Sequence, residues 1–247
     1  MLLVANWKAY IGDITKARTL FALSKRLAHT SPVTIVLAPP APLLGALSIK
    51  NTSAVHFAAQ DVSMATGGAV TGELTAQTFA TVGASYAIVG HSERRTGGDT
   101  NASVAEKLAH ALAQGLTPIL CVGEHERDTE GHYLGVVREQ VTSAFTPLTT
   151  KERKQVVIAY EPVWAINKTA ALAIAPHDLA EMVLYIRKVL SELLVGRNAS
   201  HTHIIYGGSI EPENARSLAA TSGVDGFIVG HASTDPLSFK EIVKALS

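Results

Sequence analysis

Tyr86-Ala87-Ile88-Val89-Gly90-His91-Ser92-Glu93-Arg94-Arg95 is a four-residue apolar run that breaks at a glycine into polar and charged side chains. An apolar run that short and unbroken reads as a strand buried on both faces, because a strand with one wet face would alternate. The pattern recurs at 2–5, 33–38, 55–59, 118–122, 156–160, 203–206 and 226–229. Helical periodicity fills the gaps. In 13–29 the apolar stripe is Ile14, Ala17, Leu20, Phe21, Leu23, Ser24 and Leu27. Segment 101–114 opens on the capping-type Asn101 and stops at Gly115, and 176–195 carries Leu179, Met182, Val183, Ile186, Val189, Leu190 and Leu193 on one face and ends at Gly196. Eight such strand–helix units with no linker between them predict an α/β protein, a single closed (β/α)8 barrel over residues 1–247. A doubly wound open sheet would want a Gly-x-Gly-x-x-Gly turn after the first strand, and the sequence has none there.

The bulk numbers agree with that architecture. A chain of 247 residues suits one α/β barrel, and 47% hydrophobic against 17% charged residues is enough for a core. With 21 basic and 21 acidic residues there is no cationic footprint, so neither nucleic acid nor an anionic membrane is expected as a partner. One cysteine, Cys121, excludes an internal disulfide and predicts a reducing compartment. The first residues lack the basic and apolar regions of a signal peptide, so the expectation is a cytoplasmic protein.

In a (β/α)8 barrel, chemistry belongs at the residues just after each strand. Those positions hold Asn6 and Lys8, Gln60, 90–95, Gly123-Glu124, Glu161-Pro162-Val163-Trp164, Gly207-Gly208-Ser209 and Gly230-His231. Glycine-rich turns that lead into helices present backbone N–H groups suited to phosphate. A carboxylate, an imidazole, a lysine and such a cradle on one rim point to proton transfer on a small phosphorylated substrate.

The motifs Asn6-Trp7-Lys8, 90–95, Cys121-Val122-Gly123-Glu124, 159–166 and Tyr206-Gly207-Gly208-Ser209, in this order, resemble the triosephosphate isomerase family over the whole chain. The resemblance implies a TIM barrel that interconverts dihydroxyacetone phosphate and D-glyceraldehyde 3-phosphate, an aldose–ketose isomerase of glycolysis and gluconeogenesis. It implies Glu161 as the base and His91 as the neutral electrophile and proton shuttle, roles for which the family is itself a standard example of environment-tuned acid–base groups. By the same resemblance Lys8 and Asn6 stabilise the developing enediolate, and Glu93 pairs with Lys8. The substrate phosphate is expected at Asn167, Gly208, Ser209, Gly230 and His231, under a lid of Pro162, Val163, Trp164, Ala165, Ile166, Asn167, Lys168 and Thr169. No cofactor and no metal is expected. The residue types suit these tasks: Pro162, Val163, Trp164 and Ile166 can exclude water from Glu161, and a helix starting after His91 would favour the neutral imidazole.

Other residues read as structural. Cys121 reads as a buried strand residue, and Glu124 and Arg95 as rim partners. His201 and His203 share a strand face but lack a third ligand for a metal.

Three features bear on where this chain departs from, or extends, the family pattern. The lid has Asn167-Lys168-Thr169 where two glycines are usual; Thr169 would be strained if a positive φ were required, predicting slower or less complete closure. His231 replaces a glycine, leaving the backbone N–H but adding an imidazole that either points to solvent or adds a pH-dependent contact to the phosphate. Loop 60–73 resembles the family's dimerisation loop and implies a homodimer, with Thr71 beside the partner's Asn6 and Lys8. Two alternatives remain on sequence alone: an isomerase of a longer, tetrulose-type sugar phosphate, and a barrel that binds phosphate without catalysis.

Overall fold

Along the first strand, β1 (Leu2–Asn6), every residue is buried, yet the two parities part company. Leu2 and Val4 pack in a cluster with Val36, Ala58, Ile88, Ile119, Ala159, Ile205 and Ile228, which fills the barrel interior. Leu3 and Ala5 belong to the larger cluster shared with the helices. Successive side chains of a strand point to opposite faces, so a strand with a core on each side must be apolar at both parities. This is the physical origin of the unbroken runs. The computed structural model describes residues 1–166, 168–169, 173–194 and 202–247.

The remaining strands are β2 (Thr34–Ala38), β3 (His56–Ala59), β4 (Tyr86–Val89), β5 (Thr117–Val122), β6 (Val157–Tyr160), β7 (Ile204–Tyr206) and β8 (Gly226–Val229). They are parallel and close in sequence order, with Leu2 of β1 opposite both Thr34 of β2 and Gly226 of β8. The molecule is a (β/α)8 TIM barrel. Its strand limits differ from the apolar runs by one residue at most, because ladder hydrogen bonds rather than hydropathy set the ends. Val33, Val55 and Val156 are buried just ahead of their strands.

The helices are α1 (Ile14–Thr30), α2 (Ala41–Ser48), α3 (Ala76–Thr81), α4 (Ser92–Thr96), α5 (Asn101–Ala113), α6 (His132–Phe145), α7 (Thr150–Arg153), α8 (Pro176–Leu193), α9 (Pro212–Thr221) and α10 (Pro236–Ala245). The stripe read in the first of them is the one that packs: Ala17, Leu20, Leu23 and Ser24 are buried. Asp13 accepts the Lys16 N–H at 2.7 Å and starts α1, a cap worth about 1 kcal/mol. In α5 the cap is Thr100, not Asn101. Thr100 has the extended backbone a cap requires (φ −95°) and accepts the Ser103 N–H, while Asn101 is the first helical residue. Gly115 ends that segment at φ +75°. In α8, Leu179, Met182, Val183, Ile186, Val189 and Leu190 are buried as the periodicity requires; Val195 and Gly196 lie outside the described residues. No described helix is long and apolar enough to cross a membrane.

Strand parity also sets the site. Positions 2 and 4 of β1 and 157 and 159 of β6 face inward, so Asn6 and Glu161, two residues further on, fall at the mouth of the barrel rather than under the helices.

Candidate active site

The corner after β1 is held in an unusual backbone shape. Lys8 has φ +43° and is the only non-glycine described residue with positive φ. That conformation costs an L-residue about 1–2 kcal/mol and persists only where neighbours over-determine it. They do: the buried Asn6 Oδ1 accepts the Lys8 N–H at 3.1 Å, and Gln60 Nε2 donates to the Lys8 carbonyl at 2.9 Å and to the Ala38 carbonyl at 2.8 Å. The side chain then reaches Glu93, Nζ to Oε1 2.6 Å. Partial burial alone would raise the Glu93 carboxyl, but the Lys8 ammonium, helped by His91, outweighs it and holds Glu93 below its ordinary range.

His91 caps α4. Its Nδ1 accepts the Glu93 N–H at 3.2 Å, so that nitrogen carries a lone pair and the ring proton sits on Nε2. Nε2 lies 3.5 Å from Oε1 of Glu161, a carboxylate only 3% exposed whose other oxygen accepts the Ser92 N–H at 3.2 Å. Close packing gives Glu161 its place. A Cβ on Gly207 would come within 2.7 Å of Glu161 Cγ and 2.6 Å of Ile228 Cγ2, so only glycine fits there. A Cβ on Gly208 would overlap the Tyr206 hydroxyl. Cys121 is buried beneath Glu161; burial first, and the carboxylate second, push its thiol well up, so it stays neutral.

Glu124, 1% exposed, ties the site to the start of the lid. Its Oε1 accepts the Trp164 indole N–H at 2.9 Å and the Tyr160 hydroxyl at 2.8 Å, its ion pair with Arg127 spans 3.2 Å, and its carbonyl accepts the Val163 N–H at 2.9 Å. Arg95 bonds the Gly90 and Cys121 carbonyls and Asn101, tying the ends of β4 and β5 together. Both residues join elements of the rim, as their sequence reading had it.

Asn6, Lys8, His91 and Glu161 share a cavity of about 260 Å³ with Gly207, Gly208, Ser209, Gly230 and His231. The lid enters it through Ile166 and Lys168. Pro162 leads into a 3₁₀ turn, Val163–Ala165. Ser209 Oγ donates to the Ala165 carbonyl at 3.0 Å and accepts the Lys168 N–H at 2.8 Å, so one hydroxyl bonds both the 3₁₀ turn and the residues after it in the segment expected as a lid. Asn167 lies outside the described residues. Thr169 is exposed and does not have positive φ, so the backbone strain considered there does not arise in this structure. Thr71 is elsewhere, on the exposed loop after β3.

Sequence reasoning passed over Tyr10, Ile210 and Glu211, which also line the cavity. Tyr10 sits two residues beyond Lys8 in the turn after β1, and Glu211 directly precedes the proline that opens α9; position on the rim was the available signal for both. Gln140, whose amide brackets both the N–H and the carbonyl of Gly123, sits on α6 and had none.

A family model described as triosephosphate isomerase matches residues 1–246. Among similar proteins, the triosephosphate isomerase of Moorella thermoacetica is 40% identical over 247 residues, covering 98% of this chain and 97% of that one. Those of Magnetococcus marinus and Thermus thermophilus are 38% and 39% identical, each alignment covering 98% of the relative and 100% and 99% of this chain.

Proposed function

The chain belongs to the triosephosphate isomerase family, and from that premise we infer how its own residues carry the reaction. It is an aldose–ketose isomerase that interconverts dihydroxyacetone phosphate and D-glyceraldehyde 3-phosphate, a step of glycolysis. Neither a longer sugar phosphate as substrate nor a non-catalytic barrel finds support in these relatives.

Glu161 takes the proton from C1 of dihydroxyacetone phosphate, and the C–H electron pair forms the C1–C2 double bond. His91, with its proton on Nε2, donates a hydrogen bond to the carbonyl oxygen that gains the charge. Lys8 supplies fixed positive charge, and Asn6 a polar contact, to the same oxygens. Returning the proton to C2, with the hydroxyl and carbonyl protons exchanged through His91, gives the aldehyde. One C–H bond breaks and one forms, so the balance needs no oxidant, reductant or cofactor. The observation that carries this reading is the buried Glu161 carboxylate 3.5 Å from His91 Nε2 in a cavity shared with Lys8. Burial keeps water away from the carboxylate, and fixed donors cost no reorganisation when charge develops. A coupled assay with each triose phosphate tests it: the wild type turns over both, and Glu161→Asp, which withdraws the carboxylate by one methylene, loses roughly 10²-fold in kcat. Retained kcat in that variant would remove Glu161 from the role of base.

In this reading the phosphate binds at Gly208, Ser209, Gly230 and His231, with Asn167 from the lid, whose closure keeps water and elimination from the enediolate. We also infer a two-fold homodimer. The loop after β3 turns through Gly67, Gly68 and Gly72, all at positive φ, and leaves Met64, Val70 and Leu74 exposed around a groove whose floor holds Lys107 paired with Asp61 and Asp99. Thr71 at its tip is then beside the partner's Asn6 and Lys8. Light scattering at micromolar concentration is expected to give twice the 26.1 kDa chain mass; a stable monomer refutes the dimer. A cytoplasmic location accords with a glycolytic substrate.

A further inference from the structure

Gly123, one residue past the end of β5, is buried, and a single side chain bonds both of its backbone groups. Gln140 Oε1 accepts the Gly123 N–H at 2.8 Å, and Gln140 Nε2 donates to the Gly123 carbonyl at 3.2 Å. Gln140 projects from α6 and is only 8% exposed, on a helix face whose Val137, Val141 and Ala144 are buried with it. One amide that both accepts and donates in this way fixes the two peptide planes that meet at the Gly123 Cα. Gln140 itself lies outside the cavity that holds Lys8, His91 and Glu161.

The backbone of Glu161 rests on Gly123. A Cβ on Gly123 would overlap the Glu161 carbonyl oxygen and lie 2.5 Å from its carbon and 3.1 Å from Pro162 N, so the bare Cα packs flat against the Glu161–Pro162 peptide. The neighbours on either side of Gly123 are bonded to the same stretch. The Val122 carbonyl accepts the Glu161 N–H at 2.8 Å, and the Glu124 carbonyl accepts the Val163 N–H at 2.9 Å. Residues 122–124 thus form a seat under 161–163, and Gln140 clamps the middle of the seat. The Ser92 N–H and the tight packing at Gly207 act on the Glu161 side chain; the seat acts on its backbone.

We propose that Gln140 is a positioning residue for the isomerisation: through the Gly123 backbone it holds the Glu161 carboxylate at its working distance from the substrate carbon. This rests on the reading of Glu161 as the base given above. A side chain moves with the backbone that carries it, and a reacting group displaced by 1 Å loses about 10²-fold in rate. Without the Gln140 amide, the buried Gly123 N–H and carbonyl lose their partners, which is costly enough that the turn shifts to find new ones. The Glu161–Pro162 peptide, packed on Gly123 with no room for a methyl group, shifts with it. The residues proposed to hold the phosphate follow β7 and β8 and do not rest on this seat. Loss of Gln140 therefore acts on the proton transfer and spares the binding of substrate.

The test compares three variants with the wild-type protein. Gln140→Met keeps the length of the side chain and removes both hydrogen bonds; Gln140→Asn keeps the amide but leaves it one methylene short; Val137→Ala loosens the same buried face of α6 and does not touch Gly123. For each, kcat and KM for dihydroxyacetone phosphate are measured per folded molecule, with the folded fraction and Tm read by circular dichroism. The isotope effect on kcat is measured with substrate deuterated at C1. Gln140→Met is expected to lower kcat about tenfold, with KM changed by about twofold or less, and to raise the isotope effect as proton transfer becomes limiting. Gln140→Asn should move the same quantities in the same direction, and it carries the test if Gln140→Met does not fold. Val137→Ala should lower Tm and leave kcat and the isotope effect at their wild-type values. A merely structural Gln140 would lower Tm and leave kcat per folded molecule and the isotope effect unchanged. That result, or an equal loss of kcat in Val137→Ala, overturns the positioning role and leaves the isomerase reading intact; a wild type that turns over neither triose phosphate overturns both.

Discussion

The two halves of the barrel mouth are built on opposite principles. Where β1, β4 and β6 end, each polar group of the proposed acid–base set is braced by a second: Lys8 by Asn6, Gln60 and Glu93, His91 by the Glu93 amide, Glu161 by the Ser92 amide. Where β7 and β8 end, the wall is Gly207, Gly208, Gly230 and mostly buried side chains, with His231 exposed, and among the described residues the Ser209 hydroxyl bonds both Ala165 and Lys168 of the expected lid. Proton transfer to and from carbon needs groups placed to within a few tenths of an ångström, whereas holding a phosphate needs donors and a door. The first half should therefore be intolerant of small displacements and the second forgiving.

The sharpest way to break that contrast is Gly207→Ala. The added methyl meets Glu161 Cγ and Ile228 Cγ2 well inside van der Waals contact, and the side chain able to yield is the proposed base. We expect kcat to fall roughly 10²-fold, as for a 1 Å misplacement of a reacting group, with the barrel still folded by circular dichroism. An alanine variant with wild-type kcat would show that the acid–base half has slack after all.

Gln60→Ala asks whether the brace or the braced group matters more. It removes two hydrogen bonds that hold Lys8 at positive φ without touching Lys8 itself. Each is worth about 0.5–1.5 kcal/mol, enough to let the backbone relax and the ammonium wander. The expected result is a loss of about tenfold in kcat/KM, from roughly 1.4 kcal/mol, with a lowered Tm. A fall in Tm alone would make Gln60 a fold residue only.

The same contrast explains how much could be read from the amino acids. Continuous apolar runs are required of every strand buried on both faces, so the barrel was legible from end to end, and parity carried Asn6 and Glu161 to its mouth. His91, Lys8 and Glu161 were legible because the proposed chemistry needs such side chains at strand ends. The braces were legible only in part: Gln60 stood at a strand end and Glu93 was expected beside Lys8, but what Gln60 and Gln140 hold was not readable. Gln60 acts through two backbone carbonyls brought together by the closing of β1 and β2 around it, and Gln140 reaches Gly123 from a helix; neither leaves a local pattern. Asn101 looked like a cap because Asn and Thr both suit that position, and only the backbone angle separates Thr100 from it. Tyr10 and Glu211 were hidden for a different reason: the phosphate end is made of loop positions with no periodicity, where any polar residue reads as solvated.

The lid gives the smallest and most discriminating test. With the lid segment latched by Ser209, as in this structure, Thr169 has an ordinary backbone conformation, so threonine costs nothing there, and replacing it with glycine acts chiefly on the unlatched ensemble. Glycine enlarges that ensemble, which disfavours latching by about 0.4–1 kcal/mol, a factor of two to five. If closure shields the enediolate, Thr169→Gly should raise the fraction of turnovers lost to phosphate elimination two- to fivefold while lowering kcat by about twofold or less. Inorganic phosphate released per triose isomerised measures this directly. A variant that closes better, with faster turnover and less elimination, would mean that the reactive lid passes through a left-handed backbone at residue 169, and that the forgiving half of the site has a constraint of its own.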